Sequence, residues 1–272
     1  MDKNMLISKS KDIKKNIIEM IYEAKSGHPG GSLSCADIIT YLYYNEMNVN
    51  PLDSNNEDRD RFVLSKGHAA PALYSVLAEK GYFEKAELLG LRKIGRILQG
   101  HPDSKKIPGV DLSTGSLGQG ISNAVGMALG LRYLGKKSKV YAILGDGELE
   151  EGIVWEALMS AAHYKLSNLV AIIDNNGLQI DGRNEDVMGI SPLDKKLEAF
   201  GWNVVICEDG NDFNHIDRAF NKIKEEKNKP SIIIAKTIKG KGVSFMEDKA
   251  GWHGQAPNKE ERDKAIKEIG GI

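Results

Sequence analysis

Four short, uninterrupted apolar runs limit how this chain can fold more than any other feature: Val140–Leu144, Leu169–Ile173, Val204–Cys207 and Ile232–Ala235. A strand wet on one face alternates apolar and polar residues, whereas a continuous run needs both faces covered, the condition of a parallel sheet. Between the runs lie helical patterns at Glu148–Lys165, Pro192–Phe200 and Asp212–Lys227. Ser191-Pro192 offers the second of these an N-cap and a first-turn proline. The rhythm predicts a doubly wound α/β fold, a parallel sheet with helices on both faces. The connections are long enough for crossovers, which makes an antiparallel α+β arrangement the lesser alternative.

The first half reads as helical at Ile13–Ala24, Ala36–Asn45, Pro71–Lys80, Lys85–Ile94 and Gln119–Leu134, with one strand candidate at Phe62–Leu64. Ile13, Ile17, Met20, Ile21 and Ala24 fall on one stripe of the first helix. A polar helix at Lys259–Ile269, starting from about residue 257, is expected to close the chain. No linker, repeat or low-complexity tract interrupts it. The expectation is one domain over residues 1–272, with the sheet between Val63 and Ala235 and the two ends as appendages.

Composition closes several functional classes. Lys and Arg number 37 against 38 Asp and Glu, with neither sign gathered at one end, which argues against nucleic-acid binding and against a polybasic membrane anchor. The longest apolar runs are about five or six residues, where roughly 20 are needed to span a bilayer, and nothing near the start has the form of a signal peptide. Cys35 and Cys207 belong to no CxxC or Cys/His zinc spacing, so a reduced, cytoplasmic setting is expected. Glycine is in excess, with 29 residues. Gly118, Ser122, Gly126 and Gly130 recur every four residues and leave the Gln119–Leu134 helix a bare stripe. Glycine there costs about 1 kcal/mol each relative to alanine, which predicts that another helix or a strand, in preference to a ligand, approaches closely.

The chemistry starts at Gly145-Asp146-Gly147, directly after an apolar run. In open parallel sheets ligands sit outside the carboxyl ends of the strands. An aspartate there, between glycines that let backbone come close, can hold a metal, and the following helix offers free N–H groups to an anion. Strand-end Asp-Gly turns are common, and this motif alone is weak. Asp174-Asn175-Asn176 ends the next run, and the intervening helix of about 18 residues brings Asp146 and Asn176 to the ends of adjacent strands. One carboxylate, one amide oxygen, the Leu178 carbonyl and diphosphate oxygens make a hard, oxygen-only set suited to Mg²⁺. The metal would supply the positive charge that the chain's balanced composition lacks.

Four of the six histidines sit beside glycine: Ser26-Gly27-His28-Pro29-Gly30, Lys66-Gly67-His68, Gly100-His101-Pro102 and Trp252-His253-Gly254. Glycine-rich loops carried by a scaffold are where functional groups concentrate, and imidazole donates, accepts and titrates near neutrality. Zinc is the rival use, but no histidine pair has the short spacing of a structural site. Gly130–Lys136 has P-loop spacing but Lys137 where Ser or Thr should follow, and Gly118-Gln119-Gly120 lacks the third glycine of a dinucleotide fingerprint. Lys236–Lys241 reads by itself as a solvated loop. Glu148 and Glu150 read as first-turn acids that complement a helix dipole.

GDG followed by NN is the thiamine-diphosphate fingerprint, and the segment GDGELEEGIVWEALMSAAHYKLSNLVAIIDNNGLQIDG resembles the cofactor-binding domain of transketolases. SGHPGG, FVLSKGHAAPALY, QGHPD, TGSLGQGISNAVGMALG and EDKAGWHG are similar to that family's motifs, in its order, from about Ser26 to Gly254. The resemblance implies that Asp146, Asn176 and the Leu178 carbonyl bind the metal (Mg²⁺, or Ca²⁺ or Mn²⁺). It implies that Gly147, His68 and His253 touch the diphosphate. Gly115, Ser116 and Leu117 would line the thiazole and aminopyrimidine region, with Glu151 and Glu156 near a subunit interface. Lys66 and Lys239 match animal-type members, in which lysines approach the cofactor. His28, His101 and His253 would surround the reacting carbons as catalytic acids and bases.

The activity implied is transfer of a two-carbon ketol unit from a ketose phosphate to an aldose phosphate. The family's following pyrimidine-binding domain supplies the glutamate that activates the cofactor, and the chain stops about where that domain should begin. The expectation is therefore an N-terminal subunit that works with a separate C-terminal transketolase subunit in an α₂β₂ assembly. A fragment of a longer chain is the plainer alternative. Two other readings remain: the α-subunit of a 2-oxo acid dehydrogenase, which shares GDG–NN, and a non-catalytic thiamine-diphosphate-binding subunit.

Overall fold

The computed structural model describes residues 2–271. Its centre is a five-stranded sheet of β1 (Arg61–Leu64), β2 (Val140–Gly145), β3 (Leu169–Asn175), β4 (Asn203–Cys207) and β5 (Ser231–Lys236), in the order β1-β2-β3-β5-β4 with every pair parallel. Side chains alternate along each strand, and both sets are buried. Tyr141, Ile143, Val170, Ile172 and Ile233 enter one apolar core, while Val140, Ala142, Leu144, Ala171, Ile173, Ile232 and Ile234 enter the other. This is the physical content of the continuous runs, and the doubly wound arrangement follows from it. β4, one of the two edge strands, departs from it and leaves Ile206 exposed.

One face is covered by α1 (Lys3–Ala24), α2 (Pro29–Ser34), α3 (Ala36–Tyr41), α4 (Ala70–Lys80) and α9 (Phe213–Ile223), with α10 (Lys259–Gly271) against α1. The opposite face carries α5 (Gln119–Tyr133), α6 (Gly152–His163) and α8 (Leu193–Ala199); the single turn α7 (Asn184–Val187) lies in the loop after β3. Asp212 caps α9 by accepting from the Asn214 and His215 N–H groups.

Several expectations are corrected. The N-terminal helix begins at Lys3 rather than Ile13, and it is no appendage, because Ile13, Ile17 and Ile21 are fully buried in the larger core. The Ala36–Asn45 helix runs regularly only to Tyr41 and ends in a π turn at Leu42–Glu46. Lys85–Ile94 is a 3₁₀ segment that stops at Gly90. The Glu148–Lys165 helix is broken: a 3₁₀ turn at Gly147–Glu150 precedes extended Glu151 and then α6. Ser191 does not cap α8; Pro192 itself takes the cap position. The bare stripe on α5 is split. Gly118 is closely approached by α6, a Cβ there lying 2.5 Å from Ile153 Cγ2, whereas Gly126 and Gly130 have nothing within 4 Å among the described residues. Among the described residues no helix is long and apolar enough to cross a membrane.

Candidate active site

Because β2 and β3 are neighbours with Gly145 opposite Asp174, the chain leaves both strands at the same edge. Asp146 is buried there; its Oδ1 accepts from the Gly147 N–H at 2.9 Å and its Oδ2 from the Gly177 N–H at 2.5 Å. Burial pushes the Asp146 carboxyl up to about 6, Asp174 adds to the shift, and the Gly177 N–H opposes it. The Asn176 Oδ1 accepts from the Leu178 N–H at 3.1 Å, so Asn176 and Leu178 share one turn, which the Gly177 N–H joins to Asp146. The described residues contain no group of three His, Cys, Asp or Glu able to hold a metal. A carboxylate, an amide oxygen and a carbonyl fit a hard cation that takes its remaining oxygens from water and phosphate.

Two ammonium groups lie under this corner. Lys66, 1% exposed, donates to the Asp174 Oδ2 and, at 2.8 Å, to the Gly31 carbonyl. Asp174 is wholly buried and also accepts from Ser34 Oγ and Thr237 Oγ1, each at 2.5 Å. Burial alone would lower the Lys66 pKa, but the charge of Asp174 outweighs it and holds the ammonium above its ordinary range. Lys239 is buried as well, which overturns the solvated-loop reading of Lys236–Lys241 at this position. Its Nζ donates to the Leu178 carbonyl at 3.2 Å and lies 3.1 Å from His253 Nδ1. Burial and then the nearby Lys66 charge bring Lys239 down to about 8.

Three of the glycine-flanked histidines converge. Ring centroids are 5.3 Å apart for His28 and His68, 5.4 Å for His28 and His253, and 5.2 Å for His68 and His253. Burial, then Arg92, lowers His28 to about 4; burial, then Lys239, lowers His253 to about 3; burial and Lys66 hold His68 well below the usual value. All three are therefore neutral at pH 7. His28 Nδ1 is buried without a hydrogen-bond partner among the described residues, and so keeps its bonding capacity for a molecule in the cavity.

The pH dependence follows with a definite sign. Between about 6.5 and 4 the unfolded chain binds more protons at these imidazoles than the folded one, so stability falls as pH drops through that window. His28 and His253 are partly open to solvent, so the expected loss from pH 7 to pH 5 is discounted to about 2 kcal/mol. Asp146, raised to about 6, acts in the opposite sense over the same window, so the imidazole share is read as a difference in urea midpoints: a His253→Gln variant should show a flatter fall with pH than wild type. An equal slope in both proteins would refute the assignment.

These groups surround a cavity of about 260 Å³ lined by His28, Gly31, Lys66, His68, Gly115, Leu117, Asp146, Gly147, Asn176, Leu178, Lys239 and His253. A Cβ on Gly31 would stand 3.4 Å from His68 Nε2 and 3.6 Å from Lys66 Nζ, so the bare backbone keeps that wall open. His101 is exposed at the rim, where a Cβ on Gly115 would come within 3.3 Å of its ring. Ser116, Glu151 and Glu156 are exposed and do not line the cavity.

Sequence reasoning missed two groups. Arg92, at the rim with a left-handed φ of 59°, places its guanidinium against Gly100, where a Cβ would meet Cζ at 2.8 Å. Its charge contributes to lowering both His28 and His101, after burial. A single arginine in a loop carries no motif; only its place shortly before GHPD pointed to it. Glu148 is the other. It is buried and lines the cavity, which corrects its reading as a first-turn acid that only complements a helix dipole.

Oxygen donors for a hard cation, buried ammonium groups and neutral imidazoles at the carboxyl ends of parallel strands define a binder of a phosphorylated cofactor. The comparisons say which: the family model for the transketolase thiamine diphosphate binding domain matches residues 8–272, and the chain belongs to the transketolase family of thiamine-diphosphate-dependent transferases. It is 43% identical over 256 residues to one of the subunits of the apulose-4-phosphate transketolase of Phocaeicola vulgatus, covering 94% of this chain and 90% of that protein. To the 6-deoxy-6-sulfo-D-fructose transketolase subunit SqwG of Clostridium sp. strain MSTE9 it is 42% identical over 257 residues, covering 94% and 93%. Transketolase from Leishmania mexicana superposes with a TM-score of 0.94 at 32% identity, covering 97% of this chain and 41% of that one. The chain thus has the extent of the separate subunits and about two fifths that of the solved enzyme. The match favours transketolase over the α-subunit of a 2-oxo acid dehydrogenase.

Proposed function

We propose that this chain is the N-terminal subunit of a split transketolase, which moves a two-carbon ketol unit from a ketose phosphate to an aldose phosphate once a separate C-terminal subunit completes the site. The observation that carries the reading is the convergence of His28, His68 and His253 with Lys66 and Lys239 on the cavity that holds the Asp146–Asn176 corner. Agreement in extent with proteins named as transketolase subunits supports the division into two chains.

Bound thiamine diphosphate supplies a nucleophilic carbon and an electron sink, which is what breaking a bond beside a carbonyl requires. In this reading Asp146, Asn176 and the Leu178 carbonyl hold Mg²⁺, or Ca²⁺ or Mn²⁺ in its place. Gly147, His68, His253, Lys66 and Lys239 receive the diphosphate, and Gly115, Ser116 and Leu117 border the rings. Neutral imidazoles can take and return protons at the substrate hydroxyls; His28 and His253 are placed for this within the cavity and His101 at its mouth. Glu151 and Glu156 face outward, as residues would that meet a second subunit in an α₂β₂ assembly. The whole domain, residues 1–272, is taken as one cofactor-binding unit in the cytoplasm.

Mixing is the test. The purified chain, a candidate C-terminal subunit, thiamine diphosphate and Mg²⁺ should together form ketol-transfer product, with neither chain active alone. Turnover by this chain alone would sink the split reading, and pyruvate decarboxylation without ketol transfer by the mixture would sink the transketolase one. A panel of ketose donors, sulfonated and phosphorylated, then identifies the sugar.

A further inference from the structure

We propose that Glu148 is a positioning residue for the cofactor site: its buried carboxylate clamps together the three backbone segments that form the walls of the cavity. The inference rests on reading that cavity as the thiamine-diphosphate site. Glu148 lies on the 3₁₀ turn Gly147–Glu150. Its Oε1 accepts from Ser65 Oγ and, at 2.8 Å, from the Gly118 N–H; its Oε2 accepts from the Gly145 N–H at 3.0 Å. Ser65 Oγ accepts in turn from the Ile121 N–H at 3.1 Å, in the first turn of α5.

The three segments are the end of β1, the entry to α5 and the end of β2. Each continues directly into cavity groups: β1 into Lys66 and His68, the loop before α5 from Gly115 and Leu117, and β2 into Asp146 and Gly147. No backbone hydrogen bond joins the α5 entry to the end of β2 among the described residues, so the carboxylate is the polar link between those two walls. The chain is built around it. Gly118 holds a left-handed φ of 78°, and a Cβ on Gly120 would strike the Ser65 Cα. Together these press the α5 entry onto Ser65, within reach of the carboxylate.

Three donors converge on two oxygens, which only a carboxylate can satisfy. Glutamine has the same shape, yet whichever way its amide is turned an N–H₂ group faces a backbone N–H, and a buried donor is left unpaired. The cradle then loses its fixed width while the metal donors, lysines and histidines all remain. A first-turn acid that merely complemented a helix dipole would have no such local effect.

The experiment compares wild type, Glu148→Gln and Ser65→Ala, each assembled with the C-terminal subunit. Amide hydrogen exchange should accelerate at Gly118, Ile121 and Gly145 in Glu148→Gln and remain unchanged in β5. Calorimetric titration with thiamine diphosphate and Mg²⁺ should show Kd raised about 10- to 100-fold, with kcat at saturating cofactor largely kept. Ser65→Ala should move both readouts the same way and less, and adding it to Glu148→Gln should change little further. Wild-type exchange and wild-type Kd in Glu148→Gln would overturn the proposal while leaving the cofactor reading intact. Failure of the wild-type assembly itself to bind thiamine diphosphate would overturn that reading and this proposal with it.

Discussion

Replacing Asp174 by alanine is expected to destabilise the chain by about 3–5 kcal/mol, because removing one partner of a buried ion pair strands the other charge away from water. Lys66 would be the stranded group: it is almost fully buried, and besides Asp174 it donates only to the Gly31 carbonyl among the described residues. Thr237 would lose its acceptor at the same time, and Ser34 would keep only the Gly31 carbonyl at 3.1 Å. Asp174→Asn should cost less, since one side-chain oxygen survives. The decisive comparison is Lys66→Met combined with Asp174→Ala. With both charges gone the penalty has no source, so the double variant should recover part of the loss in urea midpoint. A single Asp174→Ala variant within about 1 kcal/mol of wild type would show that the pair does not act as described.

Replacing His28 by alanine is expected to leave the fold and cofactor binding in place and to lower kcat of the reconstituted enzyme by about 10²- to 10⁴-fold, the range for loss of a positioned proton-transfer group. His28 is the imidazole best suited to the test. Its Nδ1 has no partner within the described residues, so no structural hydrogen bond is lost with it. His253, by contrast, also lies against Lys239, and its removal should affect cofactor affinity as well as turnover. Steady-state kinetics beside calorimetry separates the two. Unchanged turnover in His28→Ala, with cofactor still bound, would favour a non-catalytic binding subunit over a transketolase half.

Much of this was legible in the sequence, for identifiable reasons. A strand covered on both faces must be apolar throughout, so β2, β3 and β5 showed themselves as runs, and Asp146 and Asn176 were placed by their ends. The glycine-flanked histidines were visible because open backbone beside an imidazole is uncommon in a core; His28, His68 and His253 did meet in space. The start of α1 was not legible, since Lys3 to Asp12 carry mostly polar residues and only Leu6 and Ser10 are buried there. Glu148 was hidden by its neighbours: among Glu148, Glu150 and Glu151 nothing local distinguishes the one that turns inward. Arg92 depends on a loop path that no periodicity encodes.

The residues that meet at Asp174 come from far apart in the chain: Ser34 is 140 positions before it, Lys66 is 108 before it and Thr237 is 63 after it. Such a junction cannot form piecemeal. A chain whose first helices, central strands or last loop have not yet docked has no closed floor beneath the cavity and no fixed place for the imidazoles above it. Occupancy of the cavity therefore reports on the whole chain at once, and a ligand that binds there recognises finished molecules and passes over the unfinished ones.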